Sequence, residues 1–421
     1  MPSNTILTST LILKEIYAIM HQKGNFIARV NRQYDNRFQA DGVGKGGEIL
    51  NVRLPPKFTT RTGDAMQQQN VVQRSVPLPR STVMGIDFTL GQQELSKSID
   101  DVSETILQPA VQQLTASVEA DFANVYKTVA NYAGAVGSAV TYKSFQQVGQ
   151  YMSEELAPQG NRTMIQSPQA RVDFSDAVKG LFQSSERIDQ QYVEGKMGDT
   201  GGFGVYENTI VPPAHTVGIY GGTPLTNNTG LQGTSGVGNA YAATTALVTD
   251  GWTATTTILK KGDIITIGTA GTATAVNSVH PETKVSTGRL KRFVVTADTV
   301  TDGSGNSTIT VSPAIIYGGA YQNVSVGVAD GLAITVLGAS GTTYGQSIGF
   351  HKDAFAFVTA DLEDPSRYGA WGARETFDGL SLRIWRQGDI ASGSFPCRLD
   401  ICFGWAPIYP EWAARHVYLL S

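Results

Sequence analysis

The chain has 421 residues, with 32 Lys+Arg against 36 Asp+Glu and a formal net charge of −4. Such a balance excludes a basic field for holding nucleic acid over the whole surface, and an acidic one equally. Charged residues make up 16% and glycine takes 46 positions, which excludes charge-driven disorder and predicts many turns between uncharged polar surfaces.

The length suits one large domain or two to three ordinary ones. Two cysteines, Cys397 and Cys402, exclude a disulfide framework and a cysteine-only zinc site. An odd offset along a predicted strand puts them on opposite faces, so free thiols in a reducing compartment are expected. The first apolar stretch, Leu11 to Met20, holds Lys14 and Glu15 and lacks a basic leader, so no secretory signal is read. The longest uncharged run, Thr216 to Thr249, is too rich in Gly, Thr and Asn to span a membrane.

Residues 8–38 read as two short helices. Ile12, Ile16 and Ile19 form the stripe of the first. Gly24 stops it, Asn25 caps the second, and Phe26, Val30, Tyr34 and Phe38 form the second stripe. Arg29 and Arg32 fall off that stripe, with Lys23 and Arg37 nearby. Basic residues among aromatics also fit nucleic-acid binding, but one continuous aromatic stripe favours a helix that docks on a partner.

Residues 41–80 begin with a glycine-rich entry, then a strand with Leu50, Val52 and Leu54 on one face, stopped by Pro55-Pro56. Lys57 to Asn70 is polar and passes through Arg61, Gly63 and Asp64 before an extended pattern resumes at Val71. A polar two-stranded excursion of this length is seldom carried without a function. Thr82, Met84, Ile86, Phe88 and Leu90 then alternate as one face of a strand. The period next turns helical through Ile99, Val102, Ile106, Ala110, Leu114, Val118, Phe122, Val125 and Val129. This predicts a helix of roughly 45 Å, kinked at Pro109.

A helix is expected over 141–157, a strand over 163–167, a helix opening at Pro168 and a strand over 205–211. More than half of the threonines lie between Thr216 and Gly345. Strands are predicted there at 254–259, 263–268, 291–297, 307–312 and 332–337, as in a small barrel or sandwich inserted into the α+β pattern. After it, alternation marks strands around Phe355–Val358, Leu380–Ile384 and Leu399–Trp405, the last two forming a hairpin.

Few residues carry chemistry. Gly345-Gln-Ser347-Ile-Gly349 fits G-x-S-x-G, and His416 follows it. That chemistry needs a strand, a strained turn and a helix, whereas an alternating strand pattern comes next. Gly195-Lys196 lacks the Ser or Thr of a phosphate loop. His21, His215, His280, His351 and His416 lie far apart without H-E-x-x-H. The acidic groups Asp361, Glu363, Asp364 and Asp100, Asp101 read as solvated faces or helix starts. No cofactor or metal is expected. A serine hydrolase using Ser347 and a β-rich tail or adhesin protein remain as alternatives.

The order of parts resembles the major capsid (coat) protein of tailed double-stranded DNA bacteriophages, with the Hong Kong phage-type capsid fold. Within that fold it is similar to coat proteins of short-tailed Salmonella-type phages, which carry an inserted β-barrel domain. The likeness is carried by Ser347-Ile-Gly-Phe-His-Lys-Asp-Ala-Phe-Ala-Phe-Val-Thr-Ala-Asp361, by Gly379-Leu-Ser-Leu-Arg-Ile384, by Cys397-Arg-Leu-Asp-Ile-Cys-Phe-Gly-Trp405 and Tyr409-Pro-Glu411, and by the Phe88-to-Asp121 join. The resemblance implies an N-terminal helical arm at 1–40, an extended loop at 41–80 and a peripheral domain with spine helix at 81–140. It further implies an axial domain at 141–215, an inserted β-rich domain at 216–345, and return strands of axial and peripheral domains at 346–421.

Phe26, Arg29, Arg32, Tyr34, Lys57, Arg61 and Asp64 are the candidate contacts with neighbouring subunits or scaffold. The implied function is a non-enzymatic homo-oligomer of pentamers and hexamers in an icosahedral head. It is expected to form in the host bacterial cytoplasm with a scaffolding protein and a portal. After maturation it would enclose double-stranded DNA without sequence-specific binding, and without a membrane.

Overall fold

Alternating apolar stretches dominate the chain, and the computed structural model forms most of them into strands. It describes residues 16, 26–33, 49–79, 82–90, 106, 108–178, 199–210, 212–227, 242–254, 256–369, 371–377, 380–388 and 395–420. Two units divide the chain: Met1–Val52 with Val76–Ala123 and Phe355–Ile408, and Arg53–Ser75 with Asn124–Ala354 and Tyr409–Ser421.

In the first unit, Phe395–Pro407 is the long central strand. It pairs with Phe355–Thr359, Leu380–Arg386 and Thr82–Leu90, and Leu380–Arg386 pairs in turn with Trp371–Phe377. The expected 2-residue period holds in Thr82–Leu90: Met84, Ile86 and Phe88 are half-buried while Val83, Asp87 and Thr89 are exposed. Gly85 faces Asp400, and a Cβ there would strike the Asp400 carboxylate. That carboxylate is buried and bridges Arg383 and Arg398, so its charge is paired where it leaves water.

Helix α1 (Gln108–Ala123) packs on this unit through Val111, Leu114, Val118 and Phe122, the spacing of one helical face. Phe122 stacks on Phe26 with ring centroids 4.4 Å apart and meets Phe357 at 5.4 Å and Trp405 at 6.2 Å. Aromatic pairs of this kind add about 0.5–1.5 kcal/mol each beyond their burial.

The predicted helix to Val129 ends earlier. After Ala123 the chain tightens into a 3-10 turn at Asn124–Thr128, and Thr128 Oγ1 donates to Val125 O at 2.7 Å. Asn, Val and Thr are poorer helix formers than the residues before them. Val125 and Val129 are buried all the same. Pro109, where the kink was expected, is the second residue of α1; of residues 99–107, the predicted first part of the helix, only Ile106 lies inside the described residues.

The second predicted arm helix is also corrected. Only a 3-10 turn, Ile27–Arg29, forms, and Val30 is extended with φ −100° and ψ 169°. Asn31 then makes a parallel bridge to Ala356. Phe26 and Val30 therefore share a buried side through a turn and an extended step, without a continuous helix. Tyr34, Phe38 and all of the first predicted helix except Ile16 lie outside the described residues.

The second unit is built on a mixed sheet in the order Tyr132–Gly134, Ala413–Tyr418, Thr343–His351, Arg162–Gln166, Phe203–Glu207, Asp199–Thr200, with His215–Thr216 paired to Thr343–His351. Helices α2 (Tyr142–Glu154) and α3 (Pro168–Val178) contribute Phe145, Val148, Met152 and Phe174 to its core. Thr141 and Ser144 form a capping box at the start of α2, satisfying donors that a helix start leaves open.

The segment 216–345, expected as an insertion and so called below, leaves and returns on neighbouring strands: His215 pairs with Tyr344 and Thr216 with Thr343. Between them lies a six-stranded sheet in the order Ile334–Val336, Ile264–Ile267, Arg292–Val295, Ser307–Ser312, Thr245–Trp252, Gly222–Thr226. Its outer strands meet at an antiparallel bridge between Leu225 and Ala333 and through Thr226 N–H to Leu332 O at 2.9 Å. Leu247, Ile265, Phe293, Ile309 and Val311 fill its core. All five strands predicted in this segment are present with trimmed ends. Gly222–Thr226 and Thr245–Trp252 were not anticipated.

Candidate functional site

The hairpin loop is the outlying element of the described chain. Ile49–Arg53 and Ser75–Pro79 form its two-stranded ladder, and Leu54 N–H continues it to Arg74 O at 2.8 Å. Beyond the strands, the Gln69 amide stands in for a backbone partner. Its Oε1 accepts Thr59 N–H at 2.9 Å and its Nε2 donates to Thr59 O at 2.6 Å. At the tip Gly63 has φ +94°, a value suited to glycine, and Arg61 Nη1 donates to the carbonyls of Gly63 and Ala65. Arg61 thus closes its own turn, while Asp64 is exposed.

The loop exposes apolar side chains. Phe58 is 59% accessible, Met66 78% and Val71 65%. An isolated apolar residue at a surface needs no explanation, whereas three within one polar loop make that loop a candidate contact surface. Phe58 and Met66 were not singled out in the sequence, although each stands out as a large apolar side chain in a polar stretch; Val71 was read only as the start of the returning extended pattern.

The base of the loop rests on the insertion within the second unit. Val72 packs with Ala314, Ile316, Ala320 and Tyr321, Tyr321 Oη donates to Val72 O at 2.5 Å, and Lys57 N–H donates to Tyr321 Oη at 3.4 Å. Burial, then Arg74, hold the Lys57 ammonium below its ordinary pKa, against Glu411 and Glu155. Burial raises the Glu411 carboxyl, and burial with Lys57 nearby brings Lys284 down to about 8. Lys57 therefore lies at a seat within its own chain, not on a free face.

The arm candidates separate. Phe26 is fully buried against Phe122, and its N–H donates to Glu119 Oε1 at 2.8 Å. It therefore belongs to the core of its own unit and not to an outer face. Arg29 is exposed and Arg32 half-buried, while Tyr34 lies outside the described residues.

Two polar clusters, the first buried and the second partly exposed, mark the root of the insertion. His215 Nε2 lies 2.8 Å from Asp263 Oδ1 and Nδ1 lies 3.0 Å from Tyr126 Oη. With the carboxylate ionised, Nε2 carries the proton and Tyr126 donates to Nδ1. Asp263 Oδ2 also accepts Lys260 N–H at 2.7 Å and Gly218 N–H at 3.1 Å. Burial lowers the His215 pKa, opposed by the Asp263 hydrogen bond. Arg415, fully buried, donates to Val129 O and Gly262 O at 2.9 and 2.8 Å. In the second cluster Lys291 pairs with Glu155 at 2.7 Å, Arg289 with Glu154, and Arg292 lies 4.2 Å from the Tyr132 ring and 4.1 Å from that of Tyr151. Both clusters fasten the insertion to α2 and the mixed sheet.

The G-x-S-x-G stretch runs along the strand Thr343–His351, with Ser347 fully buried and paired in register with His416. No strand–turn–helix stands there. Gly345 makes room for the Tyr418 ring, and Gly349 for Val148 and Phe203. Small residues at alternate positions let α2 and Tyr418 approach the sheet, which accounts for the motif without catalysis. His416 donates toward or accepts from Ser144 Oγ at 2.8 Å, and burial lowers its pKa to about 4. Among the described residues no group of three or more His, Cys, Asp or Glu is placed to hold a metal ion, and no helix is long and apolar enough to cross a membrane. Cys397 and Cys402 are buried free thiols.

Packed sheets, a loop with exposed apolar side chains and a motif serine sealed inside a strand suit a structural protein. The chain belongs to the family described as P22 coat protein, gene protein 5, whose model matches residues 8–416. It is accordingly a phage major capsid protein, forming an icosahedral shell, with the α+β fold of that class. Among solved structures it is similar to one from Mycobacterium phage Che8, at 10% identity over 92% of this chain and 88% of that one, TM-score 0.41. It is also similar to the asymmetric unit of the bacteriophage PhiM1 mature capsid, at 10% over 89% and 83%, TM-score 0.42. A virus-like particle from Pyrococcus furiosus is similar at 8% over 97% and 98%, TM-score 0.38. No curated protein matches the sequence.

Proposed function

We propose that copies of this chain associate as pentamers and hexamers around a scaffolding protein, with a portal at one vertex, in the host bacterial cytoplasm. The precursor shell then expands as double-stranded DNA is packaged, and the DNA is enclosed without being read. On this reading Met1–Val52, Val76–Ala123 and Phe355–Ile408 make up the peripheral domain with the arm and spine helix. The mixed sheet with α2 and α3 is the axial domain, and the six-stranded sheet is a small inserted barrel.

The observation that carries the reading is the loop. Phe58, Met66 and Val71 stay in solvent, and a neighbouring copy is the surface that removes them from it. Burying a large apolar side chain contributes about 1.5–3 kcal/mol, and a closed shell repeats each contact on every subunit, so that later contacts become intramolecular. Arg61 and Asp64 are exposed charges of the same loop, and Arg29 is an exposed charge of the first unit. Sedimentation and negative-stain microscopy of the overexpressed chain, with and without scaffold, test the proposal. Closed or partial shells are expected, while discrete small oligomers or fibres under both conditions overturn it.

A further inference from the structure

We propose that Tyr321 is a positioning residue: its hydroxyl clasps both legs of the hairpin loop, so the insertion aims a contact that it does not itself make. The clasp rests on geometry inside the second unit, and only its consequence for shell formation rests on the function proposed above.

One oxygen atom serves both legs. Tyr321 Oη gives its proton to Val72 O on the returning leg at 2.5 Å and accepts the backbone N–H of Lys57 on the outgoing leg at 3.4 Å. The Arg74 guanidinium lies 5.7 Å from the centre of the same ring, within range of a cation–π contact. Val72 fills the apolar seat made by Ala314, Ile316 and Ala320.

The clasp is mounted on a braced segment. Asn323 Nδ2 donates to Ala314 O at 2.6 Å, its Oδ1 accepts Ile316 N–H at 3.0 Å, and its own N–H reaches Ile316 O at 2.9 Å. Gln322 N–H closes onto Gly319 O at 3.2 Å. A turn tied on both sides of Tyr321 holds the ring in one place, as a positioning group requires. Beyond the clasp, local bonds tie the loop to itself, Thr59 with Gln69 and Arg61 with Gly63 and Ala65. Residues 58–71 are thus internally tied but steered from their base, at 54–57 and 72–74.

Amide hydrogen exchange on the unassembled full-length chain tests this, comparing wild type with Tyr321→Phe and Tyr321→Ala. The Phe variant keeps the ring and removes both bonds. Exchange in peptides covering 53–60 and 70–76 is expected to rise about tenfold, the scale of one or two hydrogen bonds, with the peptide covering 307–312 unchanged. Sedimentation under assembly conditions is expected to show several-fold fewer shells. Unchanged loop exchange in Tyr321→Phe overturns the clasp, even if Tyr321→Ala unfolds the insertion. Faster loop exchange with wild-type shell yield overturns the positioning role. Should wild type itself never form shells, the capsid mechanism fails, and the exchange data still decide the clasp.

Discussion

Two parts of the second unit, the insertion and the hairpin loop, face water on different terms. The insertion surrounds its own core, with Leu247, Ile265, Phe293, Ile309 and Val311 excluded from solvent, and it is tied at its root by His215, Asp263 and Arg415. The loop between Arg53 and Ser75 keeps Phe58, Met66 and Val71 in water and holds its shape by side-chain bonds to its own backbone. Both carry apolar residues between polar ones. The difference lies in whether the chain supplies the covering surface itself. A segment that closes its own sheet contributes to monomer stability, whereas one that cannot is available for association.

The largest effect expected from this contrast is on folding. Phe293→Ala should destabilise the monomer by about 3–5 kcal/mol, from lost transfer energy and the cavity left behind. A urea titration followed by near-ultraviolet circular dichroism reads it directly. A shift no larger than that of a surface substitution would mean that the insertion does not own its core.

Acidification acts on the mixed sheet at the root of the insertion and not on the loop. The buried His416 has its pKa brought from 6.5 to about 4, and burial lowers His215 and His351 as well. Each stays neutral in the folded chain while the unfolded chain takes up a proton. The stability these groups contribute is therefore complete above pH 6.5 and is lost as pH falls toward 4, at up to about 1.4 kcal/mol per pH unit for His416. The loop from Arg53 to Ser75 contains no histidine. Urea midpoints measured between pH 7 and pH 4 should fall, and His416→Gln should flatten that slope. Equal slopes in variant and wild type would place the acid sensitivity elsewhere.

How much of this was legible depends on how many neighbours each residue answers to. Thr82–Leu90 reads correctly because one face meets the core and the other meets water, so sequence alternation is structural alternation. The proline opening α3 is local and reads correctly too, whereas the cap at Thr141 was not singled out. Thr245–Trp252 is hidden because Gly251, at φ +73°, breaks its register against Gly222–Thr226 between Asp250 and Trp252. Phe26 and Val30 share the spacing of a helix but reach the core through a 3-10 turn and an extended step, a choice fixed by Phe122 and Ala356 far along the chain. In the candidate site, Lys57, Arg61 and Asp64 drew notice as charges, yet Arg61 ties its own turn and Lys57 sits at a seat. The exposed Phe58 and Met66 were visible as exceptions in a polar stretch. Tyr321 was not, since nothing local distinguishes one tyrosine in a threonine- and glycine-rich segment as the partner of Val72.

A smaller effect, and one confined to assembly, is expected from the loop. Phe58→Ser with Met66→Ser should raise the protein concentration needed for shells about tenfold, equivalent to roughly 1.4 kcal/mol per subunit, while leaving the urea midpoint within about 0.5 kcal/mol of wild type. Light scattering over a dilution series gives the first quantity and the titration gives the second. A variant that loses both stability and assembly would assign these side chains to the monomer core and erase the contrast with the insertion.

The smallest effect belongs to the residue that most resembles a catalyst. Ser347 is fully buried midway along Thr343–His351, beside His416 and between glycines that admit Tyr418 and Val148. What the site demands of position 347 is a small volume, and alanine meets that demand. Ser347→Ala should therefore change stability by less than about 1 kcal/mol, the scale of a single buried hydroxyl, and leave shell yield at the wild-type level. Ser347→Leu, by contrast, adds atoms where helix α2 already lies against the sheet, and overpacking of that kind costs about 1–3 kcal/mol. A tolerated leucine together with a damaging alanine would mean that the hydroxyl matters more than its size, reversing the structural account of the motif. Measured side by side, the two variants distinguish a serine kept for its smallness from one kept for its oxygen.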